Sequence, residues 1–573
     1  MRPFQLARAI LGSRPMISWN ASKLLPLAAA VLLGAGVGHA QDSGPIDPAR
    51  LSQIVKVLAS DEFAGRAPGG PGEKKTLDYL ISQFKAVGLE PGGENGGWTQ
   101  KVPLVRFQVK DSVVLKVAAG GQIISWRQGQ EVMVNTQRPL KRVKIDQAPL
   151  VFVGYGISAA ERGWDDFKGV DLKGKIAVFL INDPDFEAQP GEEVRGKFGG
   201  LAATYYARWT YKFEEAARRG ALGALIIHET PGAGYGWSTV IAGNGQTFDI
   251  VRAQPDKEKV LMQGWIQREA AAALFARSGV SLAKLKADAR KATFEPVLLK
   301  GVSLSTDYRI THTRADSQNV IGRLPGAQRP SESIMYGAHW DAYGLGPADA
   351  SGDKIRRGAV DDAIGLAGMI EIARAFQQGP KPARSIVFAA WTAEEAGLLG
   401  SEYYGAHPLQ PLETMVANMT MDILQTAGPS RDVVLVGNGQ NELEDALAEA
   451  AARQNRTLTP DAKPERGLFY RADHFSLAKR GVPVLLLMGL GGGHDLVNGG
   501  REAGDRWVAD YTARCYHQPC DAWRADWDLR GAAQDVQLLY EMGRSLASSD
   551  RWPQWKPGSE FKAVRDRSSA ARK

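Results

Sequence analysis

Cysteine is nearly absent from this sequence: Cys515 and Cys520 are the only two among 573 residues. A disulfide-built miniprotein and a four-cysteine zinc module are therefore excluded. Long hydrophobic runs are missing too. Outside the N-terminus no stretch approaches the ~20 apolar residues of a spanning helix, which excludes a polytopic membrane protein. Nor is there a basic body. The formal net charge is +7, yet residues 1–40 contribute +4 and residues 550–573 another +4, so the chain between them carries −1. A nucleic-acid enzyme is expected to hold its positive charge on the folded body, so no nucleic-acid partner is expected. Hydrophobic residues make up 44% and charged residues 23%. That composition belongs to an ordinary globular chain, not to a disordered, collagen-like or coiled-coil one.

The positive N-terminus has a recognisable pattern. Arg2, Arg8, Arg14 and Lys23 precede the apolar run Leu24–Leu33, and Gly38-His39-Ala40 follows. Basic, then apolar, then small residues describe an export signal over 1–40, cleaved after Ala40. No lipidation cysteine follows, so the mature protein is expected in the periplasm or outside the cell, without stable membrane insertion. Cys515 and Cys520 would then face an oxidising compartment, where they either pair or remain two thiols.

Apolar residues spaced three and four apart predict two helices between Pro48 and Leu89. From 104 to 140 the residues alternate like short strands. PLVFVGYG (149–156), GKIAVFLIND (174–183) and GALGALIIHE (220–229) read as buried strands, with an amphipathic helix, YARWTYKFEEAARRG, before the last. They define a small β-rich unit with limits 141–300. From 301 to 548 strands and helices alternate, which implies an α/β sandwich with a mostly parallel core sheet. The segment 549–573 is polar and basic, and is expected to be loose.

The chemistry sits where those strands end. SIMYGAHWD closes on His339 and Asp341, and SIVFAAWTAEEAG runs into Glu394 and Glu395. NMTMD ends in Asp422, GAVDDAIG opens a helix with Asp361 and Asp362, and CYHQPCD supplies His517 and Asp521. Open α/β sheets place ligands beyond the carboxyl ends of their strands, so these groups can converge on one edge. Imidazole nitrogen and carboxylate oxygen are zinc ligands. Two metals about 3.5–4 Å apart need a bridging carboxylate and further acids to offset their charge. A sixth group, a carboxylate free of metal, can take a proton from water. The Glu394-Glu395 pair offers both a ligand and such a base.

In this order, GAHWD, GAVDDAIG, WTAEEAGLLGSEYY, NMTMD and YHQPCD resemble the M28 family of co-catalytic zinc peptidases. The resemblance covers 301–548 and extends to LASDEFAGRAPGGPG near the N-terminus. It implies a zinc-exopeptidase α/β/α sandwich formed by residues 41–140 and 301–548. The unit at 141–300 resembles a protease-associated insertion. By resemblance two zinc ions bind per chain, one on Asp361, Glu395 and His517, the other on Asp361, His339 and Asp422. Glu394 matches the general base. Asp341 is expected to orient the His339 ring from behind, and Tyr516 is a candidate donor to the oxyanion. Asp362 and Ile364 depart from the family's usual Asn and Ser. Cys515 and Cys520 would clamp the loop of His517 if bonded.

The implied activity is hydrolysis of peptide substrates by an exported dizinc exopeptidase, with an aminopeptidase expected first. A glutamate-carboxypeptidase-like enzyme is the alternative, and it needs a basic pocket for the substrate carboxylate, for which Arg466, Arg471 and Arg514 are candidates. An inactive receptor or scaffold would lack the intact ligand set. A glutaminyl-cyclase-like transferase would use a single metal.

Overall fold

A computed structural model describes residues 45–110, 113–241 and 245–572. The export signal expected over 1–40 lies outside them. Helix α1 (Pro48–Leu58) begins where the sequence provides a start: proline in the first turn and the Asp47 carboxylate accepting the Ala49 N–H at 2.8 Å. Its apolar face buries Leu51, Ile54, Val55 and Leu58.

Beyond it the chain builds a ten-stranded sheet. Its centre is β1 (Arg142–Phe152), β2 (Ile176–Leu180), β3 (Gly223–His228), reached through helix α2 (Trp209–Arg218), and β4 (Met262–Gln267). These four run parallel in the order β1-β2-β3-β4. The long strand β5 (Val297–Arg314) returns antiparallel to β1. This second body is wider than the expected 141–300. Leu104–Val109 pairs with β5, Val132–Asn135 pairs with β4, and one apolar core runs from Phe107 to Ile310. The alternating residues before 140 therefore belong to this sheet, because their apolar side chains are needed to close its core.

The main body is α/β. Its seven-stranded sheet contains β6 (Ser317–Leu324), β7 (Arg329–His339), β8 (Arg384–Trp391), β9 (Met415–Met421) and β10 (Val484–Leu487), with α3 (Ile364–Gln378) following β7 and α4 (Arg530–Ala547) coming after the last strand. The order is β6-β8-β7-β9-β10; only β6 is antiparallel to its neighbour in that set. Residues of β7 alternate between two cores. Ile334, Tyr336 and Ala338 pack with α1, α3 and α4, while Met335 faces Tyr404 and Phe475 on the other side. A central strand buried on both faces reads as continuous apolar sequence. Among the described residues no helix is long and apolar enough to cross a membrane.

The segment after 549 is not loose. Trp555, Phe561 and Arg565 are buried. The Trp555 indole N–H donates to the Gly481 carbonyl at 2.9 Å, and the Arg565 guanidinium to the Met415 carbonyl at 2.9 Å. Its charge masked two large apolar anchors, Trp555 and Phe561, and a buried arginine.

Candidate metal centre

β7, β8 and β9 are parallel, so their carboxyl ends share one edge. His339 is the last residue of β7, Glu394 and Glu395 follow β8 by three and four residues, and Asp422 follows β9 directly. Asp361 stands just before α3, beyond a turn at Gly358, where φ is +58°. A Cβ at Gly358 would collide with the Asp361 carbonyl oxygen and the Ala342 side chain, so only glycine fits.

Asp361 lies between the two imidazoles. Its Oδ1 is 3.1 Å from His339 Nε2 and its Oδ2 is 3.2 Å from His517 Nε2. His517 Nε2 is also 3.2 Å from Glu395 Oε2, and His339 Nε2 is 3.7 Å from Asp422 Oδ1. The Nδ1–H of His339 donates to the Asp341 carbonyl at 3.0 Å, which turns Nε2 and its lone pair toward these acids. Facing the Asp361 carboxylate at 3.1 Å, that nitrogen needs either a proton or a metal ion between them. Two further observations fit metal ions in that role. His517 Nε2 is buried and close to two carboxylates, yet aligned for a hydrogen bond with neither, and Asp422 Oδ1 is buried with no hydrogen-bond partner. Ligand atoms of Asp361, Glu395 and His517 lie within 4.8 Å of one another.

Asp362 also comes within that distance of His339 and Asp422. Its oxygens are already engaged by the backbone N–H groups of His339 (3.3 Å), Gly365 (3.0 Å) and Ile423 (3.3 Å). Asp361 is thus the carboxylate free to bridge, while Asp362 ties three segments together. Burial, with nearby acids added to it, raises the pKa of Glu394 and of Glu395 well above the ordinary carboxylate range. Such an accumulation of buried acids calls for positive charge.

The Asp341 carboxylate accepts the N–H groups of Glu394 (3.0 Å) and Glu395 (3.3 Å). It stands 3.7 Å from His339 Nδ1, so the backbone carbonyl, not the carboxylate, holds the ring. The loop of His517 is closed by a Cys515–Cys520 disulfide with Cα atoms 5.1 Å apart. Asp521 follows it and accepts the N–H groups of Val360 (2.9 Å) and Asp361 (3.2 Å), with the Tyr511 hydroxyl donating at 3.1 Å. No spacing in the sequence pointed to that task. Arg66 was also unforeseen. It is fully buried and donates to the carbonyls of Trp340 (2.7 Å), next to His339, and Gly358 (2.8 Å), near Asp361.

The wall around the acids includes Tyr516, Arg466 and Arg471. The Tyr516 ring lies 3.6 Å from that of His517, and burial raises its phenol pKa well above the usual value, so it keeps its proton. Arg208, at the start of α2 in the second body, stands near enough to feel the charges of Arg471 and Glu394. Burial first, and then the charge of Arg471, push its pKa down to about 10, while Glu394 opposes the shift. Its Nε is buried without a hydrogen-bond partner. Among the described residues none of these three arginines has an ion pair. Arg514, by contrast, is 72% exposed and reaches Asp510 at 3.5 Å, away from the site.

Residues 319–540 match the family model of Peptidase family M28. Over that segment the main body is of the peptidase family M28 type. A glutamate carboxypeptidase 2 homolog of Caenorhabditis elegans is 24% identical over 520 residues, covering 80% of this chain and 61% of that protein. The chain thus spans less than two thirds of that relative. Aminopeptidase NAALADL1 of Mus musculus is 37% identical over 113 residues, 19% of this chain and 14% of its own. Among solved structures, an aminopeptidase from Aneurinibacillus sp. strain AM-1 matches at 19% identity and a TM-score of 0.48, covering 88% of this chain and 94% of that one.

Proposed function

We propose that this M28 protein is an exported dizinc exopeptidase acting on short peptides whose free carboxylate is gripped by Arg208, Arg466 and Arg471. The observation that carries this reading is the set of three guanidinium groups without carboxylate partners around a buried acid and imidazole cluster. Guanidinium forks match carboxylates, and three half-buried cations without ion pairs, set around a pocket, suit an anionic ligand. The second body, read as a protease-associated insertion, then supplies one wall of the substrate pocket through Arg208. Export is supported by the disulfide, which needs an oxidising compartment.

The residues divide the work as follows. Asp361, Glu395 and His517 would hold one zinc ion and Asp361, His339 and Asp422 the other. Bound zinc supplies Lewis acidity and lowers the pKa of water. Glu394, next to a ligand yet free of the Asp361–His517 pair, takes the proton from the attacking water and passes it to the leaving amine. Asp341 keeps Glu394 and Glu395 in place through their N–H groups. Tyr516, protonated and against His517, donates to the developing oxyanion. The arginines fix the carboxylate end, so the scissile bond lies next to the C-terminal residue.

The relatives' names point to both ends of a peptide, and a free dipeptide satisfies either enzyme. Dipeptides, N-blocked dipeptides and aminoacyl-p-nitroanilides should be compared with and without a chelator, beside Glu394→Ala and Arg208→Gln. Turnover of N-blocked dipeptides, abolished by chelator and by Glu394→Ala, is the expected result. Arg208→Gln should raise KM for free-carboxylate substrates about tenfold or more and leave their C-terminal amides unchanged. Turnover of p-nitroanilides without that KM effect would replace this reading by an aminopeptidase. No turnover and no bound zinc would favour a receptor.

A further inference from the structure

A second pocket lies in the body that carries Arg208. β2, β3 and β4 run parallel, and open sheets of parallel strands hold ligands beyond their carboxyl ends. At that edge there is a cavity of about 350 Å³, within the usual range for a small-molecule site. Every residue lining it comes from a segment that ends or follows one of these strands: Glu187 after β2; His228, Glu229 and Trp237 from β3 onward; Gln267 and Glu269 from β4. This edge is separate from the metal centre, which uses the other sheet.

The chemistry of the lining is selective. His228 is 6% exposed, and its ring is packed edge-on against Trp237 and Trp265 at 5.5 and 5.8 Å. Its Nε2–H donates to the Tyr235 carbonyl at 3.1 Å, and burial lowers its pKa, so Nδ1 is a bare acceptor on a ring that walls the cavity. Among the described residues nothing donates to Nδ1. The charged groups form a chain. Lys286 bridges Glu187 and Glu229, and Arg268 reaches Glu229 at 3.2 Å and Glu269 at 3.7 Å. Three acids face two bases, so one negative charge is left over. Glu269 is the least neutralised of the acids, 77% exposed and held only at 3.7 Å by an Arg268 that lies closer to Glu229. An aromatic face, a bare imidazole nitrogen, a carboxamide and a surplus carboxylate together suit a cation with N–H donors.

We propose that this cavity is an accessory site for the guanidinium or ammonium group of a basic peptide residue, stacked on Trp237 and paired with Glu269. The site is independent of how the metal centre treats its substrate. It also has a route to that centre. The loop between β3 and the next turn of helix places Gly234 against Arg466, so the segment walling the cavity on one side abuts the metal pocket's wall on the other.

The full-length protein labelled with 5-fluorotryptophan tests this, with Trp237→Phe used to assign the Trp237 fluorine signal. Acetyl-arginine amide should shift that signal saturably. Acetyl-citrulline amide, which has nearly the same shape without the charge, should bind about tenfold more weakly. Glu269→Gln is at an exposed position and should fold normally, yet weaken acetyl-arginine amide by a similar factor. A Trp237 signal that does not move, or moves equally with citrulline or with acetyl-glutamate amide, overturns the proposal. So does full binding by Glu269→Gln. None of these readings depends on turnover, so the proposed peptidase activity can fail without affecting them.

Discussion

Asp361 and Asp362 carry the same side chain one residue apart, and their surroundings give them opposite tasks. Asp362 spends its oxygens on three backbone N–H groups, while Asp361 keeps both of its own for the imidazoles. What frees Asp361 is Asp521, which takes the N–H groups of Val360 and Asp361 from behind. Asp521→Asn would turn an amide NH2 toward one of those donors. We expect zinc affinity to fall by about 10–100-fold, the usual cost of losing a group that orients a ligand, with the helical content unchanged. Zinc per chain after dialysis against graded chelator measures it. His474 shows burial outweighing a backbone hydrogen bond at Phe469. It is fully buried against Phe469, and desolvation pushes its pKa down to about 3, below the unfolded value of 6.5. Below 6.5 the unfolded chain takes up a proton that the native ring refuses. Stability should therefore be complete above pH 6.5 and fall by up to about 1.4 kcal/mol per pH unit between 6.5 and 3. Urea midpoints measured across that window should lose this part of their slope in His474→Gln. Among the candidate ligands, His339, Glu395 and Asp422 stood out because each ends or follows a strand with a residue type that metals prefer, whereas Asp361 and His517, before a helix and in a loop, were suggested by the family resemblance. Asp521 and Arg208 were not, because a carboxylate serving backbone amides and an arginine from a distant helix leave no spacing behind.

At the scale of elements, the centre is held by loops tied from outside. Arg66, in the turn after α1, joins the loop leaving β7 to the turn before α3 through carbonyls at Trp340 and Gly358. The disulfide does the same for the last ligand. Cys515 and Cys520 close a loop that contains His517 and leads directly into Asp521, so one crosslink steadies an imidazole ligand and the support of the shared carboxylate. Cys515→Ser with Cys520→Ser should cost about 2 kcal/mol, the loop-entropy value for so short a ring. It should also weaken zinc binding, and more strongly for one ion than for the other, because only one triad contains His517. Calorimetric titration of zinc into the metal-free double variant should resolve two steps, the weaker shifted furthest from wild type. Equal weakening of both would show that Asp521, not His517, transmits the effect. The two helices between Pro48 and Leu89 and the apolar strand β7 could be read directly from residue types. The crosslink could only be read as an alternative, because two cysteines five residues apart pair or not according to the turn between them.

Over the whole molecule, the two sheet bodies meet through the segment that composition alone made look dispensable. Glu560 accepts the Tyr205 N–H of the second body at 3.1 Å and the Tyr470 hydroxyl of the main body at 2.9 Å. Phe561 packs on Trp555 and Phe475, and the Tyr205 ring lies 5.4 Å from Phe475. The Ala203 N–H reaches the Pro464 carbonyl at 3.1 Å in the same seam. Arg208 stands five residues beyond Ala203, so its place beside Arg471 depends on that seam staying closed. The boundaries at 140 and 300 were misplaced for a related reason: alternating strands show that a sheet exists but not which sheet they join. Ending the chain at Ser549 removes Trp555 and Phe561 from the core. Losing aromatic side chains from a core costs about 3–5 kcal/mol each, which is a large part of a typical total stability. Glu560→Ala is the milder cut, since it breaks the hub and keeps the aromatic anchors. We expect the truncated chain to be recovered largely unfolded or aggregated. We expect Glu560→Ala to fold with its zinc content intact but a raised KM for free-carboxylate substrates, because Arg208 is no longer held over the pocket. A Glu560→Ala variant with unchanged KM would mean that the seam is held by its apolar contacts alone, and that Arg208 keeps its position without the hydrogen bonds of the C-terminal segment.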